Sequence, residues 1–279
     1  MFFYTSLESP LFKNENVCFA LSDRYGGVSE GAFNTLNLGY GVGDCKQSVD
    51  TNHRRVKEAF VKTFGKADFR VGLGTGESGA DRDFAKNIPM FYCQQIHSTK
   101  SVVVDENLVS KYRRCDGSMC LGEADAIITH LPNVLVFVMV ADCNPILLYD
   151  RKNGVVSVIH AGRKGVFDGI LPSVFKRMSE VYGTRVEDCL MYVGASIRSC
   201  CYEVGEEIRT QAEILGFSDV FQGKNLDLIA CLKQQSENLG LKPSQMEISP
   251  FCSSCESGLY SYRRDHSTGR FGLLAMLKP

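Results

Sequence analysis

The sequence predicts an α+β fold, a single domain over residues 1–279 with mixed β-sheets inside and helices outside. Apolar runs of strand length fill the middle of the chain, and the longest, 134–141, has the continuous pattern of a strand buried on both faces. Three later segments, 169–182, 203–215 and 225–239, have helical periodicity instead. No linker divides the chain into two halves, so we expect one domain.

The other elements are predicted from local composition and from capping and turn residues. Asp50 is in position to cap a helix over residues 52–64, as a short carboxylate often does. Strands are predicted where a short run rich in Val, Ile, Leu or aromatic residues is bounded by polar or turn residues. These runs are 90–95, 101–105, 124–129, 146–149, 155–159, 190–193 and 246–248. Residues 150–154, Asp-Arg-Lys-Asn-Gly, supply a turn between two of them.

Composition places the protein among ordinary globular chains. Of its 279 residues, 44% are hydrophobic and 23% are charged. The formal net charge is −1, so the composition does not indicate a basic surface that would bind nucleic acid. No apolar run reaches the roughly 18 residues of a membrane span. Glu8, Pro10 and Lys13 interrupt the apolar start where a signal peptide needs its core. We therefore expect a cytoplasmic protein that binds neither nucleic acid nor membrane, with most of its 12 Cys reduced and buried.

Two glycine-rich segments resemble phosphate-binding loops but lack their signatures. Gly39, Gly41 and Gly43 follow no long strand and precede acidic residues, which disfavours a dinucleotide-binding loop. The segment 71–81 lacks the Gly-Lys-Ser/Thr that ends a nucleotide-binding loop. A flexible insertion is the favoured interpretation of this second segment, and an ordered lid is the alternative.

A thiol and two imidazoles stand at the ends of strand-like runs. Cys143 follows the run 134–141, His160 follows 155–159, and His97 follows a third. A strand, a turn and a strand fit between Cys143 and His160, which would bring them near each other. One Cys and two His suit a catalytic zinc with an open fourth position, and they equally suit a cysteine nucleophile with a histidine base. Spacing alone does not show that the three side chains meet.

Four further cysteines form two close pairs. Cys200 and Cys201 are adjacent, and Cys252 and Cys255 have the spacing Cys-x-x-Cys. A second metal site is one interpretation, but a single Cys-x-x-Cys pair is weak evidence without a matching pair nearby. Since free cysteines usually behave as small hydrophobic residues, reduced thiols are the favoured interpretation.

Short motifs along nearly the whole chain resemble, in order and spacing, those of one known family. The motifs are Asn34-Thr35-Leu36-Asn37-Leu38-Gly39, Gly43-Asp44, Gln95-Ile96-His97-Ser98, Ala124-Asp125-Ala126-Ile127-Ile128-Thr129, Ala141-Asp142-Cys143-Asn144-Pro145-Ile146, Ile159-His160-Ala161-Gly162, Cys201-Tyr202-Glu203-Val204-Gly205, Leu259-Tyr260-Ser261-Tyr262-Arg263-Arg264-Asp265 and Gly269-Arg270. They resemble the YfiH family, whose members carry labels such as polyphenol oxidase or laccase-domain protein, purine nucleoside phosphorylase and peptidoglycan editing factor.

The resemblance implies a fold, a site and an activity. The fold would be a layered α/β/β/α structure with mixed sheets. The zinc ligands of the family match His97, Cys143 and His160. The activity would be phosphorolysis of adenosine, inosine and methylthioadenosine, together with deamination of adenosine. A purine nucleoside and phosphate would be the substrates and zinc the cofactor, while a homodimer is left open.

The sequence departs from the family pattern at several positions, but not at His97, Cys143 or His160. Arg163-Lys164 stand where the family usually has Trp-Arg, and the chain has no Trp. Gly194-Ala195 replace a Gly-Pro pair, and His53 stands where an Arg is common. These changes concern the pocket wall and the Arg that would contact phosphate.

The two reactions need different side chains. Deamination needs an activated water and a proton shuttle, for which Asp142, next to Cys143, is favoured, with Asp125 and Glu203 as alternatives. Phosphorolysis needs a phosphate holder, and Arg suits this role because its planar fork binds oxyanions in a bidentate way. The candidates, of which Arg54 is favoured, are Arg54, Arg55, Arg163, Arg263 and Arg264.

Other side chains could contact the nucleoside. Asn37 could hydrogen-bond a ribose hydroxyl or hold its own turn. Phe33, Tyr260 and Tyr262 could stack on a purine face. The alternating spacing of Tyr260 and Tyr262 predicts that they share one face of a strand, and core packing is the favoured interpretation for both.

Alternatives to this function are left open. Cys143 and His160 could act without a metal, as nucleophile and base of a cysteine hydrolase or amidase, including one that edits cell-wall precursors. One Cys and two His also resemble a single copper site, so copper is the weaker alternative to zinc, and a copper phenol oxidase the weaker alternative function. The chain has five His, fewer than a multicopper oxidase needs. A metal-binding protein without turnover is the remaining alternative.

Overall fold

Two six-stranded mixed β-sheets lie at the centre of the structure, a computed structural model that describes residues 1–65, 85–111 and 117–279. Every strand predicted from an apolar run is present. The strands are β1 (Phe2–Thr5), β2 (Val17–Ser22), β3 (Met90–Gln94), β4 (Ser101–Val104), β5 (Met119–Glu123), β6 (Ala126–Thr129), β7 (Leu135–Val140), β8 (Asn144–Asp150), β9 (Val155–Ala161), β10 (Cys189–Val193), β11 (Phe221–Gln222), β12 (Asn225–Leu226), β13 (Met246–Ile248) and β14 (Phe271–Leu277).

The two sheets have different strand orders. The first has the order β1-β2-β14-β7-β3-β5, in which β1, β2, β14 and β7 are antiparallel neighbours and β3 lies parallel to β7 and β5. The second has the order β13-β10-β8-β9-β6-β4, antiparallel in the middle with both edge strands added in parallel. The last strand of the chain therefore lies between β2 and β7, in the interior of the first sheet.

The predicted helices at 169–182, 203–215 and 225–239 are confirmed, with ends that differ by a few residues. The helices are α1 (Lys46–Phe64), α2 (Glu106–Ser110), α3 (Arg163–Phe167), α4 (Ile170–Tyr182), α5 (Glu206–Ile214), α6 (Leu228–Leu239) and α7 (Tyr262–Asp265). In the described part of the chain, no helix combines the length and the apolar character that crossing a bilayer requires.

Three apolar layers hold the sheets and helices together. Between the sheets, Val138 of β7 packs in one core with Leu147 of β8. Because side chains alternate along a strand, the neighbouring Phe137 points to the opposite face, where it shares a core with Phe60 of α1. The outer face of the second sheet is covered by α4 and α6, for example by Val174. The order of layers is therefore α/β/β/α, which confirms the predicted fold.

The prediction that Asp50 caps the first long helix is wrong. The helix begins at Lys46, one turn earlier, with Cys45 at its N-cap. Asp50 lies inside the helix, where its carboxylate accepts hydrogen bonds from Tyr40 Oη at 2.6 Å and from Lys46 Nζ at 3.0 Å. Val49 is fully buried, so the apolar face continues upstream of Asp50, and tertiary packing sets the helix start.

The residues after Leu259 do not form the predicted strand. Ser261 caps α7, because its hydroxyl accepts a hydrogen bond from the backbone N–H of Arg264. Tyr260 is buried whereas Tyr262 is 56% exposed, so the two tyrosines do not share a face. The glycine-rich segment 71–81 lies outside the described residues.

Candidate active site

The hairpin of β8 and β9 brings Cys143 and His160 together. Cys143 directly precedes β8, and His160 lies one residue before the end of β9. In the antiparallel register Pro145 is the partner of His160, so the start of one strand meets the end of the other. The carboxylate of Asp150 stabilises the turn between them by accepting hydrogen bonds from two backbone N–H groups of the turn. This turn is the one predicted at 150–154.

His97 is contributed by a loop that follows β3 of the first sheet. It lies three residues after β3, with a φ of +58° in the left-handed region. The side chain of Gln95 makes two hydrogen bonds with the backbone of Met139 on β7: Nε2 donates to the carbonyl at 2.6 Å, and the N–H of Met139 donates to Oε1 at 2.7 Å. These bonds extend the contact between the two strands beyond β3, and so they position the loop that carries His97.

The three side chains converge across the two sheets. His97 Nε2 lies 3.7 Å from Cys143 Sγ, and the centroids of the His97 and His160 rings are 4.8 Å apart. One ligand atom from each residue lies within 4.8 Å of the other two, a grouping that could hold a metal ion. Three such ligands leave a fourth tetrahedral position for water or substrate.

A buried carboxylate organises both histidines. Asp125 Oδ1 accepts hydrogen bonds from His160 Nδ1 at 2.8 Å and from the backbone N–H of His97 at 3.0 Å. Oδ2 accepts from the backbone N–H and the hydroxyl of Ser98, at 2.6 and 2.7 Å. Burial raises the pKa of Asp125, but the hydrogen bonds from His160 and Ser98 outweigh it and lower the pKa to about 2. The ionised carboxylate keeps a proton on Nδ1 of His160, so Nε2 is left to bind a metal ion or accept a proton.

His160 in turn controls the charge of Cys143. Burial raises the pKa of the Cys143 thiol, but the charge and hydrogen bond of His160, with those of His97, lower it to about 6. Burial lowers the pKa of His160, but the sulfur of Cys143 and the carboxylate of Asp125 raise it overall. The thiolate is the form of cysteine that binds metals and attacks electrophiles, so these electrostatics suit both roles.

Asp142 connects three distant segments next to Cys143. Its φ of +90° lies in the left-handed region. Its carboxylate accepts hydrogen bonds from Ser253 Oγ and from the backbone N–H of Arg263, both at 2.7 Å. Its carbonyl accepts one from the N–H of Ile197 at 2.9 Å. A strained backbone of this kind persists where surrounding contacts over-determine it, as these bonds do.

A cavity of about 850 Å³ opens over these residues, a volume typical of small-molecule sites. Four tyrosines line it: Tyr40, Tyr92, Tyr202 and Tyr262. Six of the candidate residues that the sequence singled out line it: His97, Asp142, Cys143, His160, Tyr262 and Arg263.

Arg270 also lines this cavity, and the sequence reasoning did not select it. Burial lowers the pKa of its guanidinium. Nη1 donates to the carbonyls of Thr268 and Gly269, whereas no described residue accepts from Nε or Nη2. The motif Gly269-Arg270 was visible in the sequence, but its location depends on the pairing of β14 with β7. That pairing sets Phe271 opposite Val140, just before the site.

Asn37 and Arg54 are not among the described residues that line the cavity. The Asn37 amide oxygen accepts hydrogen bonds from the backbone N–H groups of Gly39 and Arg270, both at 2.8 Å, so it organises the loop next to Arg270. Arg54 lies on α1 with its guanidinium 3.5 Å from Thr51 Oγ1. Glu203 lines a different cavity. The remaining arginine candidates hydrogen-bond elsewhere, and they are Arg55, Arg163 and Arg264.

One protein-family model matches most of the chain, over residues 18–67 and 80–278. It describes the multi-copper polyphenol oxidoreductase laccase family. The chain belongs to this family. Of its five His, the candidate site gathers His97 and His160, while His53 hydrogen-bonds Leu38, His130 lies beside Tyr182 and His266 lies beside Tyr262.

Curated relatives of this laccase-like chain are named purine nucleoside phosphorylase. The protein of that name from Streptomyces coelicolor is 30% identical over 256 residues, covering 90% of this chain and 92% of the relative. The one from Corynebacterium glutamicum is 30% identical over 262 residues, covering 92% and 93%. The one from Clostridium acetobutylicum is 34% identical over 187 residues, covering 64% and 73%.

Solved structures of similar proteins have the same fold. The hypothetical protein YfiH of Bacillus licheniformis matches with a TM-score of 0.79 and 26% identity, over 98% of this chain and 99% of that one. Protein NMB0706 of Neisseria meningitidis, of family DUF152, matches with a TM-score of 0.71 and 26% identity, over 95% of both chains. These matches confirm the YfiH-like fold and the family resemblance expected from the motifs.

Proposed function

We propose that this protein is a purine nucleoside phosphorylase acting on adenosine, inosine and methylthioadenosine, with adenosine deaminase activity, at a Cys/His/His zinc site. The observation that carries the proposal is the convergence of His97, Cys143 and His160 on a cavity that also contains Arg263 and Arg270. The names of the relatives from Streptomyces coelicolor and Corynebacterium glutamicum support it, since both align with at least 90% of the chain.

The donor set of His97, Cys143 and His160 suits zinc, which binds thiolate and imidazole ligands in catalytic sites. The bond from His160 to Asp125 supports this assignment, because metal-binding histidines usually donate their other N–H to a carboxylate or carbonyl. Zinc bound there would supply Lewis acidity and lower the pKa of water in the site. Copper is the weaker alternative for the same three ligands.

We assign phosphate binding to Arg270, with Arg263 as its neighbour. These are the guanidinium groups among the described residues that line the cavity. Arg263 uses Nη1 for the carbonyls of Cys201 and Glu203, at 3.2 and 2.9 Å. Arg270 likewise uses only Nη1, so both guanidinium groups keep Nε and Nη2 for a ligand, but Arg270 is half-buried whereas Arg263 is exposed. A guanidinium can donate two parallel N–H groups to an oxyanion, so one that lines the cavity suits phosphate better than Arg54, which does not line it.

The remaining roles fall to the tyrosines and to Asp142. Tyr40 and Tyr92 stack with ring centroids 5.5 Å apart and present aromatic surface to a purine. Each carboxylate oxygen of Asp142 accepts one hydrogen bond from the described residues, which leaves it further capacity to accept a proton. In deamination, Asp142 would take the proton from the attacking water and return it to the leaving ammonia. Asp125 suits this task less well, because its oxygens are occupied by the two histidine segments.

We further propose that residues 1–279 form one catalytic domain of the cytoplasm, so the purified full chain is the sample to test. The assay follows release of the base from each nucleoside, with and without phosphate, and release of ammonia from adenosine. Release that requires phosphate supports phosphorolysis, and equal release without phosphate would contradict it. Cys143→Ala should abolish turnover, and Cys45→Ser, at an exposed cysteine on the N-terminal side of α1, is the matched control.

One observation favours a second function. Cys143 has a lowered pKa beside His160, and Asp125 orients that histidine, which is the arrangement of a cysteine nucleophile, its base and an orienting acid. The protein would then be a metal-independent hydrolase or amidase, including one that edits cell-wall precursors. It would be alkylated at Cys143 by iodoacetamide in its resting state and form a covalent adduct visible by mass. Zinc bound stoichiometrically by Cys143 would exclude this function, since a ligated thiolate is poorly available.

A copper phenol oxidase is the third candidate, and the family description names that chemistry. The three ligands could form a single copper site. Copper in the protein as purified, with a blue absorption band and oxidation of a phenol, would support it, and none of these is expected if the purified protein holds zinc.

A further inference from the structure

Four cysteines meet at the edge of the second sheet. Cys200 and Cys201 follow β10, and Cys252 and Cys255 follow β13. The two strands are parallel neighbours, with Val193 beside Ile248, so both loops leave the sheet at the same end. An isolated parallel bridge between Ser196 and Cys252 continues this pairing beyond the strands. Topology therefore brings the adjacent pair and the Cys-x-x-Cys pair to one place, although they are far apart in sequence.

We propose that Cys200, Cys201, Cys252 and Cys255 bind a structural zinc ion, separate from the His97, Cys143 and His160 centre. All four sulfurs lie within 4.8 Å of one another. The distances from Cys255 Sγ to those of Cys200 and Cys201 are 3.8 and 3.4 Å. A tetrahedral zinc with Zn–S bonds of about 2.3 Å needs sulfurs about 3.8 Å apart, so the cluster is close to this shape.

The local backbone supports a metal-binding turn. The carbonyl of Cys252 accepts hydrogen bonds from the N–H groups of Cys255 and Glu256, at 3.1 and 3.0 Å, which folds the loop so that both its sulfurs face one side. Backbone N–H groups of Arg198, Cys255 and Ser254 lie close to the sulfur of Cys252. Backbone N–H groups of this kind stabilise a thiolate, which is the ligating form.

Arg264 holds the same loop from the other side. Its Nη1 donates to the carbonyls of Ser253, Ser254 and Glu256, at 3.2, 3.2 and 3.1 Å. Four hydrogen bonds to backbone carbonyls, counting one from Nη2 to Leu259 at 2.8 Å, fix the loop conformation. The cysteines therefore stand on a braced loop, as preorganised ligands do.

A divalent ion bound between the four sulfurs would allow all of them to ionise. Four ionised sulfurs this close repel one another strongly, and a divalent ion bound between them offsets the repulsion. A single disulfide would engage two of the sulfurs and leave the other pair unexplained. Four thiolates also close the coordination sphere, which is the pattern of a structural zinc, whereas the His97 centre keeps an open position.

The proposed ion would stabilise one wall of the active site. Ser253, between the two cysteines of the Cys-x-x-Cys pair, donates its hydroxyl to Asp142 at 2.7 Å. The carbonyl of Cys201 accepts from Arg263 Nη1 at 3.2 Å. Both partners line the cavity. Without the ion, the loops that hold Asp142 and Arg263 would separate more easily, so turnover should fall even though no cysteine of the cluster contacts substrate.

The experiment counts zinc in the purified full chain by elemental mass spectrometry. We expect two zinc ions per chain in the natural sequence, one in the Cys252→Ser/Cys255→Ser double variant, one in Cys143→Ser, and two in the control Cys45→Ser. Cobalt loaded into Cys143→Ser should give the intense thiolate-to-metal charge-transfer bands of a four-sulfur site, which do not depend on activity.

Several outcomes would overturn the proposal. One zinc per chain in the natural sequence, lost in Cys143→Ser, would leave the four cysteines without a metal. A disulfide among them in freshly prepared protein would do the same, and iron at the cluster would contradict the assignment of the ion as zinc. If the double variant does not fold, Cys143→Ser decides, because it retains the cluster and must keep one zinc. Absence of nucleoside phosphorolysis would contradict the proposed function and leave this result unaffected.

Discussion

Replacing Gly162 by Ala should disrupt the candidate metal centre without unfolding the protein. A Cβ at this position would lie 2.6 Å from His97 Cδ2 and 2.8 Å from Cys143 Sγ, whereas ordinary contacts begin at 3.4 Å. Two of the three donor side chains would therefore have to move by about 0.6 to 0.8 Å to restore normal contact. The φ of Gly162 is −73°, a value that Ala adopts without strain, so the effect should come from this contact alone.

The displacement is large compared with what a metal centre tolerates. Ligand distances in zinc sites hold to within about 0.2 Å, and a misplacement of about 1 Å in an active site can lower the rate about 100-fold. We therefore expect Gly162→Ala to lose most of the zinc of this centre and about 100-fold in turnover. Gly165→Ala is the matched control, since it lies in α3 and its Cβ would meet Ser98 O at an ordinary 3.5 Å.

The assay combines zinc content, phosphate-dependent release of base, and thermal unfolding of both variants. Gly165→Ala should keep zinc and turnover, and the better helix propensity of Ala could raise stability by up to about 1 kcal/mol. Full zinc content and turnover within about threefold of the natural protein in Gly162→Ala would refute the geometry derived for His97 and Cys143.

Three further predictions test other parts of the structure. Arg270→Lys should raise the KM for phosphate about tenfold, because an ammonium cannot donate two parallel N–H groups. Arg54→Lys should leave the KM for phosphate unchanged. The reverse pattern would contradict the assignment of phosphate binding to Arg270. In chelator-treated protein, alkylation of Cys143 should rise as pH passes through about 6, and His160→Gln should shift this midpoint toward the ordinary thiol value. Burial lowers the pKa of His53 to about 4 from 6.5, so the unfolded chain takes up a proton at this residue first as pH falls. His53 alone should therefore reduce the free energy of unfolding by about 2 kcal/mol between about pH 7 and pH 5. Urea titration at both pH values should show a drop in His53→Gln that is smaller by this amount, and an equal drop would contradict the assignment.

Local patterns in the chain were sufficient for much of the fold. The continuous apolar run that became β7 indicated a doubly buried strand, and the polar turn at 150–154 indicated that β8 and β9 adjoin. The capping preference of Asp50 was misleading because burial of Val49 extends α1 upstream. Periodicity also failed for Tyr260 and Tyr262, because Ser261 caps a short helix there.

Part of the candidate site could likewise be predicted from local sequence, and part of it could not. His97, Cys143 and His160 were recognisable because each follows an apolar run and belongs to a motif. The positioning role of Asp125 was not recognisable, because it depends on hydrogen bonds between segments of different strands.

By itself, the sequence determined the strands that position His97, Cys143 and His160, and it determined the family, since these depend on neighbouring residues and on short motifs. Only the tertiary structure decided that Arg270 enters the cavity and that four scattered cysteines form one cluster. Both depend on which strands pair, β14 with β7 and β13 with β10. Strand pairing is set by burial of whole sheet faces against each other, a property that no local stretch of sequence contains.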